Sequence, residues 1–185
     1  ERISSSGSPS SSSENNNTFI TSGGGFANTF VQPSYQKDAV STFLSTSNNS
    51  LGAGYNAKGR GYPDVALIGH LYPIINGGVI NYKDGTSAST PVMAAILALV
   101  NDARLSLNKS SVGFANPTLY SFSKRDDIYH DITKGKNNCC AGGWSGSTVV
   151  CCPKQGFRAV KGWDPVSGLG SINVGNLIDV WSGLP

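Results

Sequence analysis

Acidic side chains are scarce in this chain of 185 residues, which holds only 11 Asp and Glu, and the only glutamates are Glu1 and Glu14. Both fall in a serine-rich opening stretch, so the main body cannot assemble a glutamate pair for general acid and base work. Histidine is as rare, with His70 and His130 alone, leaving any nucleophile few bases to draw on. The net charge of +3 comes without a basic block or interleaved basic and aromatic residues, which argues against a nucleic-acid partner. No apolar run reaches the roughly 18 residues of a bilayer span, which argues against a membrane anchor. No signal peptide is seen, as expected of a chain that starts partway along a precursor. What is abundant is glycine, with 23 residues, a composition of loops and buried strands in a chain long enough to hold a core. Ser4 to Ser13 is nearly all serine, so residues 1–18 read as a flexible leader left by processing, and 19–185 as the folded part.

The most informative run is Asp84-Gly85-Thr86-Ser87-Ala88-Ser89-Thr90-Pro91. It sets a small hydroxyl where a glycine turn feeds an apolar segment, Val92 to Val100, which reads as a helix buried on every side. Ser87 then occupies the first helical turn, where free backbone N–H groups and the positive end of the helix dipole can stabilise an oxyanion. Pro91 is expected in that first turn, where its missing N–H costs little. The plainer reading, serine and threonine capping a core helix, must still account for Gly85 and the apolar helix behind it.

Further motifs surround this one in order: Thr21-Ser22-Gly23-Gly24-Gly25-Phe26, Pro33-Ser34-Tyr35-Gln36, Gly59-Arg60-Gly61-Tyr62-Pro63-Asp64-Val65-Ala66, and Gly162-Trp163-Asp164-Pro165-Val166-Ser167-Gly168. Together they resemble the C-terminal part of the catalytic domain of the sedolisin family, the serine-carboxyl peptidases, over approximately Phe19 to Leu184. The resemblance implies an α/β, subtilisin-like fold with a parallel sheet flanked by helices, this chain being one part of a domain that another chain completes. It implies Ser87 as nucleophile and peptide or protein as substrate, as endopeptidase or tripeptidyl-peptidase. The family's base is a glutamate, oriented by one aspartate, with a further aspartate at the oxyanion. None of the three maps onto this chain, so the resemblance implies a partner: the N-terminal chain of the same precursor. A carboxylate base works best in acid, so an acidic optimum is expected. Two readings from other classes stay open: an inactive, calcium-stabilised scaffold module, and a neutral subtilisin-type protease with its histidine in the partner.

The same resemblance implies a Ca²⁺ site, with Asp131 and Asp164 as carboxylate ligands and Ile132, Val160 and Gly162 offering carbonyls, a hard oxygen set suited to that ion. Val160 stands where relatives usually have glycine. Taken alone, two aspartates in a glycine-rich loop read as solvated loop residues rather than as ligands. Cys139-Cys140 and Cys151-Cys152 sit in one loop. Zinc sites of four cysteines use spacers of two to four residues rather than direct neighbours, so disulfides are the expectation. Relatives pair one cysteine locally and send another toward the N-terminal half, which implies a covalent tie between the chains. Asn16, Asn48 and Asn108 begin glycosylation sequons, in keeping with a glycoprotein of the secretory pathway, lysosome-like or extracellular.

The coarse reading places a surface helix over Pro33 to Leu44, a buried strand over Tyr62 to Leu67 and a hairpin over Tyr72 to Tyr82 around Asn76-Gly77-Gly78. Helices follow over Ser87 to Leu107, Asn116 to Phe122 and Asn173 to Trp181. Asp64 is expected to hold a loop by hydrogen bonds rather than to catalyse. Asp84 reads as a solvent-facing substitution, with the alternative that its charge tunes the site.

Overall fold

The computed structural model describes residues 21–46, 52, 54–141 and 149–185; the expected leader and the sequons at Asn16 and Asn48 fall outside them. In chain order the elements are β1 (Gly25–Val31), a single 3-10 turn at Ser34–Gln36, α1 (Lys37–Ser45), β2 (Gly59–Tyr62), β3 (Tyr72–Asn76) and β4 (Val79–Lys83). Then come α2 (Thr86–Ser106), α3 (Asn116–Ser121), β5 (Tyr129–His130), β6 (Cys139–Ala141), β7 (Val149–Cys151), β8 (Ser171–Ile172) and α4 (Val174–Gly183). The helices and the hairpin fall where spacing and turn residues put them.

The helices form for local reasons. Pro33 presets the turn that leads into α1, whose apolar face buries Val40 and Phe43. On α2 the fully packed positions are Ile96, Val100 and Arg104, spaced by four and so on one stripe, which lies against α4. Helix α4 opens with the Asn173 side chain accepting the Asn176 N–H and buries Leu177 and Trp181, again four apart. The end of α4 is held from α2: the Arg104 guanidinium donates to the carbonyls of Trp181, Leu184 and Pro185, and Lys109 Nζ to those of Ser182 and Leu184. Two cations thus satisfy helix-terminal carbonyls and oppose the dipole there. An aromatic cluster of Phe26, Phe43, Tyr55, Phe157 and Trp163 fills the other side of the core, with ring centroids 5.1 to 6.3 Å apart.

Sheet structure departs from expectation. Among the described residues every ladder is antiparallel and two-stranded: β1 with β2, β3 with β4, β5 with β8, and β6 with β7. No parallel sheet forms among the described residues. The expected strand over 62–67 ends at Tyr62; beyond it the Asp64 carbonyl accepts the Leu169 N–H and the Ala66 N–H donates to the Gly170 carbonyl, two backbone bonds that do not extend into a ladder. Helix α2 also differs from a helix buried all round, because Leu99 and Leu105 are 53% and 60% exposed. Pro91 lies in the second turn rather than the first; it removes the N–H that the Ser87 carbonyl would otherwise accept.

Candidate functional site

Ser87 is the second residue of α2 and is exposed. Gly85 takes the N-cap position at φ 154° and ψ 142°, an angle that side chains rarely adopt, and offers no capping side chain. The helix start is stitched to the segment before the hairpin. Gly85 N–H donates to the Gly69 carbonyl at 2.7 Å, and the Ser89 hydroxyl lies 3.1 Å from the carbonyls of both Leu67 and Ile68. Behind it opens a cavity of about 660 Å³, lined by Gly24, Pro63, Leu67, His70, Thr86, Ser89 and Thr90 among others. Gly24 belongs to the glycine run because of close approach: a Cβ there would sit 1.7 Å from the Pro165 carbonyl oxygen.

Asp84 is not solvent-facing. Its side chain is 11% exposed, Oδ1 accepts the Leu71 N–H at 2.7 Å, and His70 Nδ1 lies 2.9 Å from the same oxygen. Spacing hid this, because the contact closes the base of the hairpin between residues 13 positions apart. His130 is exposed in β5. Among the described residues, no group hydrogen-bonds the Ser87 hydroxyl.

Asp64 sits in a half-buried polar network. It accepts from Arg60, Asn116 Nδ2 and the Tyr120 hydroxyl, and its own carbonyl accepts the Leu169 N–H. Gln36 extends the network to Tyr120 and to both backbone groups of Gly61. Burial, joined by the Asp64 carboxylate, pushes the Tyr120 hydroxyl above the usual phenol range. With all its oxygens engaged, Asp64 holds the loop as anticipated.

The residues proposed as a cation site come together on two facing loops. Asp131 Oδ2 accepts the Gly162 N–H at 2.8 Å and Asp164 Oδ2 accepts the Val160 N–H at 2.9 Å. Asp164 Oδ1 accepts from the N–H groups of Val166 and Ser167, and the Ser167 hydroxyl lies 3.4 Å from the Ile132 carbonyl. Apart from glycines, only Leu71 and Asn108 among the described residues take positive φ, so Val160 keeps an angle open to valine. Asp164 is 0% exposed, and burial raises its carboxyl to about 6 despite the opposing hydrogen bonds. Asp131 is exposed, yet lost hydration raises it too, against the Gly162 N–H. No ion pair reaches Asp164, and no group of three His, Cys, Asp or Glu side chains gathers, among the described residues.

Cys139 and Cys151, opposite one another in β6 and β7, form a disulfide, while Cys152 is free and half-buried. That bond takes two of the four sulfurs a zinc site would need. Asn108, the sequon within the described residues, is exposed. No helix among the described residues is long and apolar enough to cross a membrane.

No family model matches the chain. Physarolisin of Physarum polycephalum is 44% identical over 154 residues, 82% of this chain and 25% of that protein. Tripeptidyl-peptidase 1 of Canis lupus familiaris is 44% identical over 154 residues, 82% of this chain and 26% of that protein. Aorsin of Aspergillus oryzae is 39% identical over 176 residues, 89% of this chain and 25% of that protein. Among solved structures, a Pseudomonas sedolisin, a serine-carboxyl proteinase in complex with two molecules of pseudo-iodotyrostatin, matches with TM-score 0.60 at 25% identity, covering 85% of this chain and 36% of that one. The chain therefore spans about a quarter of the length of the curated relatives it matches. With the motif order, the serine at the head of α2 and these likenesses in agreement, the chain belongs to the sedolisin family.

Proposed function

We propose that this chain carries the nucleophile of an acid-acting serine-carboxyl peptidase. The observation that carries the proposal is Ser87: exposed, in the first turn of α2, two residues after a glycine N-cap, with Thr86, Ser89 and Thr90 of the same helix start lining a cavity. Ser87 Oγ attacks the peptide carbonyl as its proton passes to a base, and water later frees the acyl group. The first-turn N–H groups of α2 stabilise the oxyanion. The base is a glutamate from the rest of the peptidase, in keeping with the family, because neither histidine hydrogen-bonds the Ser87 hydroxyl among the described residues. An N-terminal chain of the same precursor supplies that glutamate with its orienting aspartate and the oxyanion aspartate. The apolar side of α2 and the hairpin left open here suits such a partner. Whether the product is a tripeptide depends on cleft walls outside this chain.

Calcium is proposed on the loops of Asp131 and Asp164. The donor set is all oxygen, and a buried carboxylate without a cation beside it is the kind of group a hard cation neutralises. When bound, the ion neutralises both carboxylates and ties the loops together. Asp131 and Asp164 would hold it, with carbonyls of Ile132, Val160 and Gly162. A lysosome-like or extracellular compartment is proposed, in keeping with the disulfide.

The deciding experiment measures peptide hydrolysis from about pH 3 to 8 by the complete peptidase and its Ser87→Ala form. Acid-limited cleavage that the substitution abolishes supports the proposal. No cleavage at any pH would favour the scaffold reading, and a neutral optimum would favour a histidine base.

A further inference from the structure

We propose that His70 and Asp84 form a latch that positions Ser87, a role that rests on Ser87 being the nucleophile. The argument starts from the hairpin. Strands β3 and β4 pair in register from Asn76↔Val79 at the tip to Tyr72↔Lys83 at the base. Every strand residue except Tyr72 is exposed, so within this chain the hairpin gains little from packing and its base must be held by other means.

The next pair beyond the ladder is Leu71 with Asp84. Here the chain does something costly: Leu71 takes φ 50°, the left-handed region that a branched side chain disfavours, while its side chain stays 58% exposed. No apolar burial explains that conformation. What accompanies it is polar: the Leu71 N–H donates to Asp84 Oδ1, and His70 Nδ1 approaches the same oxygen at 2.9 Å. Strain of this kind persists only where its surroundings over-determine it, and it gathers at working sites.

The geometry says what the latch acts on. Asp84 is bonded to Gly85, whose N–H donates to the carbonyl of Gly69, the residue before His70. Asp84 and Gly85 on one side therefore grip His70, Leu71 and Gly69 on the other, and Ser87 follows two residues later at the start of α2. The carboxylate holds the turn that sets the direction of the Ser87 Cα–Cβ bond. His70 also lines the cavity, so occupancy of that space and the latch share one side chain. Neither residue touches the reacting atoms in this scheme; both are positioning residues.

The test uses the complete peptidase with Asp84→Ala, Asp84→Asn, His70→Ala and the Asp84→Ala/His70→Ala double variant, read by kcat and KM separately and by thermal unfolding. Displacement of a nucleophile by about an ångström lowers rate by as much as a hundredfold. Asp84→Ala is expected to lower kcat roughly ten- to a hundredfold with KM within about twofold. Asp84→Asn keeps an acceptor for the Leu71 N–H and is expected to recover most of that loss. The double variant is expected to be no worse than Asp84→Ala alone, since both act through one contact. Unchanged kcat in folded Asp84→Ala, a KM effect without a kcat effect, or additive losses in the double variant would each overturn the latch. Wild-type cleavage that survives Ser87→Ala would instead overturn the nucleophile reading beneath it, so the two failures are distinct.

Discussion

Trp163 to Gly170 and the β3–β4 hairpin are opposite solutions to the same problem. Every residue of the first segment is buried, and its central carboxylate, Asp164, has backbone donors on both oxygens. In the second, Ile75, Val79, Ile80 and Tyr82 are 59% to 75% exposed. The loop is buried, whereas the hairpin and the adjoining face of α2 carry apolar surface that no described residue covers. The difference teaches that Ser87, the proposed nucleophile, stands on the exposed side and the acidic loop on the buried one, the arrangement expected if chemistry is assembled from two pieces around a core that one piece already owns.

That contrast can be broken in several ways. The largest effect is expected from Ser87→Ala, which should lower hydrolysis by at least about a thousandfold with unchanged unfolding, measured as kcat/KM beside a denaturation curve. Next come substitutions on the buried side. Trp181→Ala, at a position with no exposure, is expected to cost about 3–5 kcal/mol by urea titration. Asp164→Ala leaves the Val160, Val166 and Ser167 N–H groups without their acceptor and should cost at least about 3 kcal/mol. A loss below about 1 kcal/mol would mean the loop repacks, and the contrast with the hairpin would weaken.

The raised carboxyl of Asp164 adds a pH dependence whose sign can be read directly. Its folded value of about 6 lies above the ordinary aspartate value of about 4, so the folded protein binds more protons than the unfolded chain between them. Without calcium, this group's contribution is therefore largest below about pH 4 and is lost as pH rises toward 6. If calcium binds the loop it favours the carboxylate, so adding the ion should flatten or reverse that slope and raise Tm most at the higher pH. An identical slope with calcium and with chelator would remove the cation site. The smallest effect is expected from Ile75→Ser, within about 0.5 kcal/mol for an exposed residue. A much larger loss in the complete peptidase would show that something covers the hairpin there.

Local signals carried much of the fold. Proline and apolar spacing located α1, the Asn76-Gly77-Gly78 turn located the hairpin, and the apolar run located α2. The glycine turn that opens α2 and the packing of the acidic loop were legible because their residues lie close in sequence or in motifs of fixed order. What was not legible depends on distant contacts. An apolar segment such as 65–68 reads as a strand whether or not neighbours exist to pair with it, and α2 reads as buried whether or not a cover is present. Asp84 reads as a loop residue until the hairpin folds back and brings His70 to it. The role of Arg104 was missed as well, although a basic residue in the last turn of an apolar helix is a signal that it serves carbonyls nearby.

The segment after Asp164 gives the acidic loop a mechanical office. Val166, whose N–H is held by Asp164, lines the cavity beside α2, and so does Gly24, pressed against the Pro165 carbonyl. One carboxylate therefore braces a wall that it never reaches. Changes at the loop are expected to show in the shape of the space beside the start of α2, as a loosened foundation shows in the room above it.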